Sequence, residues 1–143
     1  MGKFSPNGRW VAYVSYGAGG QSVWVVPFVE RTGAGGVKWR VSSADGGSLP
    51  LWSSDGRELF YVSGSNMLTA VQVETDGPAF QLGQSKALFQ LSVAQLEGGY
   101  AGWSYAVSKD GQRFLVMLGN DQSAAGAADS VSIELNWTAR LDQ

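Results

Sequence analysis

Apolar residues in this chain come in short, dense runs separated by turn-forming residues, and nowhere do they keep a helical period for three turns. Three of the runs begin alike. Phe4-Ser5-Pro6-Asn7-Gly8-Arg9 leads into Trp10-Val11-Ala12-Tyr13-Val14, and Trp52-Ser53-Ser54-Asp55-Gly56-Arg57 leads into Glu58-Leu59-Phe60-Tyr61-Val62. Val107-Ser108-Lys109-Asp110-Gly111-Gln112 leads into Arg113-Phe114-Leu115-Val116-Met117. The three glycines lie 48 and 55 residues apart. Ser-x-Asn/Asp-Gly predicts a tight turn, because the Asn or Asp side chain bonds nearby backbone and glycine accepts a positive φ. Asn7, Gly8, Asp55, Gly56, Asp110 and Gly111 are therefore the candidate structural turn residues. The run after each turn is too short for a helix and rich in β-branched and aromatic residues. It predicts the second strand of a hairpin, covered on both faces.

Further strands fall between these anchors. Gly17-Ala18-Gly19-Gly20 predicts a hairpin loop before Ser22 to Val26, and Gly33 to Gly36 another before Val37 to Val41. Met67 to Glu74 and Lys86 to Leu91 follow in the second unit. Val131 to Trp137 alternates, which predicts Val131, Ile133, Leu135 and Trp137 on one buried face and Glu134 outward. Ser92 to Glu97 is the one weak helical stretch. About four short strands per ~48-residue unit is the arithmetic of a β-propeller blade. The expected fold is all-β: about three four-stranded antiparallel blades, approximately 1–46, 47–97 and 98–143, in one region spanning 1–143. A β-sandwich is the alternative, though it does not require one turn-plus-strand motif at blade-length intervals.

The turn segments at Phe4–Arg9 and Trp52–Arg57 resemble the W/F-S-P-D-G-K/R motif of WD40-like, TolB-type propeller repeats, also found in bacterial dipeptidyl-peptidase propellers. The segment Val107–Arg113 looks like a diverged copy. The stretch from Lys38-Trp39-Arg40 through Leu59-Phe60-Tyr61 to Leu135-Asn136-Trp137 is similar to the last propeller repeats of large bacterial sensor proteins. Asn7 stands where the motif has Asp, and Ser54 and Lys109 stand where it has Pro. The resemblance implies a fold; no kinase signature, nucleophile elbow or triad accompanies it here.

Propellers close with about four to eight blades, and three leave strand edges and blade faces uncovered. Two chains are therefore expected to pair into a six-bladed ring through these faces and edges, a strand near one terminus completing a partner's blade. The alternatives are a piece of a longer propeller and a three-blade body with atypical packing.

Composition narrows the chemistry. With 44% apolar and 15% charged residues, the 143-residue chain can bury a core without crosslinks. A net charge of −2 gives no footprint for nucleic acid. The absence of cysteine and histidine excludes disulfides, thiolate sites, a cysteine nucleophile and the commonest general base. No apolar run approaches the ~20 residues of a spanning helix, and the N-terminus lacks a signal-peptide core. A soluble protein, cytoplasmic by default, with no membrane association is expected.

The Asp-Gly pairs lack calcium-loop spacing, and the glycine pairs match no phosphate loop, so neither a metal nor a cofactor is expected. Carboxylate catalysis needs two acids facing one site, whereas most acids here fall in turns and polar loops. Six tryptophans and five tyrosines mostly suit packing between blades. Trp103 and Tyr105, with Tyr100 in the preceding glycine-rich connection, are the candidate ligand-binding aromatics near a blade top. The expected function is a non-catalytic interaction module binding a protein, peptide or small ligand through loops at one end of the ring. The alternatives are a carboxylate-dependent hydrolase with its site between assembled chains, and a purely structural piece of a sensor propeller.

Overall fold

A computed structural model describes residues 2–28, 37–91, 105–117 and 131–135, with Met117 and 131–135 described by backbone only. Turn chemistry sets its strand order. In the first sheet, β1 (Gly2–Phe4), β2 (Trp10–Gly17), β3 (Gly20–Pro27) and β4 (Trp39–Arg40) pair with their neighbours in sequence. The second sheet repeats this meander with β5 (Gly47–Trp52), β6 (Glu58–Ser63), β7 (Met67–Glu74) and β8 (Gln81–Gln90). The third holds β9 (Tyr105–Val107), β10 (Arg113–Met117) and β11 (Val131–Leu135). Every pairing is antiparallel, and the described residues contain no helix.

Two local expectations change. The strand placed at Lys86 to Leu91 begins earlier, at Gln81, because register shifts in its pairing with β7 carry the ladder past Gly83. The strand placed at Val37 to Val41 pairs only over Trp39–Arg40. The Ser92 to Glu97 stretch and the Gly33 to Gly36 loop lie outside the described residues.

The sheets stack face to face, each interface with its own core. Between the first and second lie Trp10, Ala12, Val23 and Val25 against Trp52, Leu59, Tyr61, Val71 and Val73. Trp10, Trp39 and Phe80 meet there as a triangle of rings with centroids 5.4–5.6 Å apart, the tilted and edge-on spacing that aromatic quadrupoles prefer. Between the second and third lie Phe60, Val62, Leu68 and Ala70 against Tyr105, Phe114 and Val116. The chain is thus an all-β stack of blade-like meanders, each covering its neighbour.

Of the three strands that follow the repeated turns, β6 alone is covered on both faces among the described residues, with Leu59 to Ser63 all buried. In β2, Val11 and Tyr13 are half-buried, and in β10 Leu115 is 42% exposed. Among the described residues, the two outer sheets each have a sheet on one side only, so their central strands lack the double coverage expected. The expected orientation of the Val131 to Trp137 side chains lies outside what is described, and β11 is placed by its backbone register alone. Val131, Ile133 and Leu135 stand opposite Met117, Leu115 and Arg113, whereas Glu134 stands opposite the buried Phe114. Among the described residues, no helix is long and apolar enough to cross a membrane.

Candidate binding cleft at the turn end

The three Ser-x-Asx-Gly segments fold identically. Gly8, Gly56 and Gly111 all have φ of 71°, in the region where any side chain is strained. Their amides donate to the carbonyls of Ser5, Ser53 and Ser108 at 2.8, 3.1 and 2.9 Å. Each serine hydroxyl bonds the Oδ1 of the Asx two residues on. That oxygen also accepts the amide of Arg9, Arg57 or Gln112 at 3.1 Å. The serine oxygen accepts in turn from the first strand amide, that of Trp10, Glu58 or Arg113. The turn is therefore rigid before any ligand arrives.

These turns also clasp neighbouring sheets, which accounts for two departures from the repeat motif. Asn7 Nδ2 donates to the Thr75 carbonyl at 3.2 Å and to Asp76 Oδ1 at 3.0 Å, bonds that an aspartate could not make. Ser54, in the place of proline, donates its hydroxyl to the Lys109 carbonyl of the third turn. Arg9 adds bonds to the carbonyls of Asp76 and Gly77 at 2.8 and 3.0 Å, and Trp10 Nε1 donates to Thr75 at 2.8 Å. Nothing in the structure explains Lys109. Restoring the motif residue with Asn7→Asp removes both donated bonds and sets a second carboxylate against Asp76. A loss of about 1–2 kcal/mol is expected in urea unfolding at pH 7.

Where the second turn faces the end of β7 there is a cleft of about 590 Å³, lined by Asp55, Gly56, Arg57, Glu58, Gln72, Val73, Glu74, Thr75 and Asp76. Its floor is the first ladder rung of the central hairpin, Glu58 opposite Gln72. Four carboxylates against one guanidinium make the wall acidic. The Ser53 hydroxyl, followed by the Arg57 amide, holds the Asp55 carboxyl below its usual range. Burial pushes the Glu58 carboxyl up; the charge of Asp55 adds to this, and Lys86 opposes it. A Cβ built on Gly111 would sit 3.8 Å from Glu58 Oε2, so the third turn contributes to that burial.

Opposite pH dependences follow. Asp45, Asp55 and Asp110 are all depressed, each chiefly by the hydroxyl of the serine two residues before it. Their stabilisation is present above the unfolded-state value of about 3.9 and is lost as pH falls through the lower folded values. Glu58 is raised, so its ionisation weakens the fold as pH climbs from about 4.3 through the higher folded value. Glu58→Gln should therefore stabilise at pH 7, by no more than about 1 kcal/mol after solvent screening, and change nothing at pH 3. Thermal melts at the two pH values check the sign.

Of the aromatic candidates, Tyr105 lies elsewhere. Tyr105 opens β9 at the end opposite the turns, only 7% exposed, with its hydroxyl donating to the Leu49 carbonyl at 2.7 Å. Burial raises its pKa. Leu49 has a φ of 53°, so this bond ties down a strained residue beside the bulge in β5. Trp103 and Tyr100 lie outside the described residues. Sequence reasoning named Asp55 and Gly56 as turn residues but missed the cleft they line, although one signal was there. Glu58 is a charge at the head of an otherwise apolar strand, with Glu74 and Asp76 closing the next one.

No protein-family description matches the chain, and no curated protein is similar to it. Among solved structures it is similar to a 6-phosphogluconolactonase-like protein from Bacteroides uniformis, with 14% identity and a TM-score of 0.49 over 82% of this chain and 32% of that one. It is also similar to TolB from Acinetobacter baumannii, with 14% identity and a TM-score of 0.37 over 95% of this chain and 40% of that one. The chain thus spans well under half the length of either structure. What makes it blade-like is its own geometry: consecutive antiparallel meanders, stacked face to face and pinned by one repeated turn.

Proposed function

We propose that this chain is a non-catalytic binding module that uses the turn end of its stacked sheets to hold a cationic segment of a peptide or protein. The observation that carries the reading is the cleft of about 590 Å³ walled by Asp55, Glu58, Glu74 and Asp76. Its volume lies within the range of specific ligand sites, and its frame is fixed by hydrogen bonds, so little ordering cost falls on binding. A lysine-rich segment supplies the opposite charge and long stems that lie along the β-strand walls. Fluorescence anisotropy with labelled octalysine and octaglutamate tests it. Octalysine should bind at low ionic strength, and Glu58→Gln and Glu74→Gln should each weaken it several-fold. Octalysine affinity unchanged in both variants would overturn the reading.

A second reading is favoured by the convergence of four carboxylates on one cleft, with half-buried Glu58 beside Asp55. It makes the cleft a carboxylate-dependent hydrolase site, with Glu58 as proton donor. Turnover of aryl glycosides that is abolished in Glu58→Gln would support it; no turnover by the native chain would remove it.

A further inference from the structure

The turn glycine gives a common frame for the three central strands. Third and fifth after it come Val11 and Tyr13, Leu59 and Tyr61, and Phe114 and Val116; fourth and sixth come Ala12 and Val14, Phe60 and Val62, and Leu115 and Met117. In β6 the third and fifth residues pack on the first sheet, and the fourth and sixth pack on the third sheet. The outer sheets keep this polarity. Ala12 and Val14 of β2 face forward onto the second sheet, and Phe114 and Val116 of β10 face back onto it. Both internal interfaces thus join a fourth-and-sixth face to a third-and-fifth face.

One face of each kind has no partner sheet among the described residues. The leading face carries Val11 and Tyr13, with Phe4 and Val26 in register beside Val11 and Trp24 beside Tyr13. Phe4 is 58% exposed and meets Phe28 edge-on at 4.9 Å, and Lys38 covers Trp24 with its ammonium 4.6 Å from the ring. The trailing face carries Leu115, 42% exposed and in register with Ala106. Each face thus keeps a large exposed apolar side chain, Phe4 on one and Leu115 on the other, with Arg40 in register beside Trp24 and Arg113 two residues before Leu115.

We propose that a second copy of this chain covers both: the leading face of each copy packs on the trailing face of the other, closing a two-chain ring. The proposal is independent of the cleft. A second copy is the occupant because it presents the mating face in the right register, and because each new contact continues the two interfaces already formed. Ring size agrees. Propellers close with about four to eight blades, and two copies of the three described sheets make six. A two-fold axis along the ring makes the two new interfaces equivalent and leaves no face open.

Size exclusion with light scattering tests this on the full chain, with circular dichroism confirming that each variant is folded. The native chain should run at twice its 15.2 kDa mass at micromolar concentration. Phe4→Glu on the leading face and Leu115→Glu on the trailing face should each weaken association at least tenfold, since either charge is buried in both interfaces. Phe4→Leu, which keeps the face apolar, should stay paired. Mixing the two Glu variants should restore pairs, because one of the two interfaces in the mixed pair is then unmodified. As the chain has no cysteine, Phe4→Cys mixed with Leu115→Cys should crosslink through a bis-maleimide, whereas either alone should not. A native chain at the single-chain mass overturns the proposal. So do a mass above two chains, dissociation by only one of the Glu variants, and crosslinking within a single Cys variant.

Discussion

Phe114→Ala is expected to cost about 3–5 kcal/mol, most of the stability of a domain this size. The side chain is fully buried at the centre of the interface between the second and third sheets. Its ring meets Phe60 at 5.3 Å and Phe89 at 5.6 Å, both edge-on. Truncation removes the buried area and leaves a void bounded by two aromatic rings whose strands are fixed by their ladders, so the site relaxes little. Because β10 is the middle strand of the third sheet, that sheet should lose its seat first. Hydrogen exchange should show β9 and β10 opening at lower free energy than β6 and β7. Combining Phe114→Ala with Phe60→Ala should cost less than the sum of the singles, by about 0.5–1.5 kcal/mol, the coupling of an edge-on ring pair. Strict additivity would mean that the rings merely share a neighbourhood.

Gly64→Ala should be the other large effect, and it acts at the end opposite the turns. Gly64 begins the connection between β6 and β7, and a methyl group there would overlap the carbonyl oxygen of Asp45. Asp45 cannot yield easily. Its carboxylate accepts from the Ser43 hydroxyl, and from the amide and hydroxyl of Ser65 at 3.3 and 3.2 Å. The adjoining Gly46, at a φ of 96°, leaves its own Cβ position 2.7 Å from the Gln21 carbonyl. Two connections and the start of β3 are thus packed backbone to backbone. A loss of at least about 1–3 kcal/mol in denaturant unfolding is expected. Gly17→Ala is the matched control: nothing lies within 4 Å of its Cβ position and its φ is not positive, so it should be neutral or slightly stabilising.

The strands were legible where local chemistry decides them. Ser5, Asn7 and Gly8, with their two later counterparts, contain every donor, acceptor and backbone freedom that their turn uses, so spacing and residue type suffice to read it. Met67 to Glu74 and Val131 to Leu135 were likewise readable from apolar density and alternation. The early start of β8 was not, because Gln81 to Lys86 is polar and is held in the sheet by pairing with β7 rather than by propensity. Nor was the cleft, whose acids are 16 or more residues apart between the second turn and the end of β7 and meet only because Glu58 pairs with Gln72.

The amino-acid sequence alone determined that this protein is all-β, that its strands come in repeated meanders, and where three of its turns fall. Each of these is settled within a dozen residues by hydrogen bonding and steric preference. Tertiary structure alone decided which face of each strand is buried. An apolar strand such as β2 or β10 has two similar faces, and only the position of its sheet in the stack says which one has a neighbour. It likewise revealed why Asn7 and Ser54 depart from the motif: the partners of their side chains, Thr75, Asp76 and Lys109, lie 55 to 69 residues away. Contacts at that range exist only once the sheets have packed.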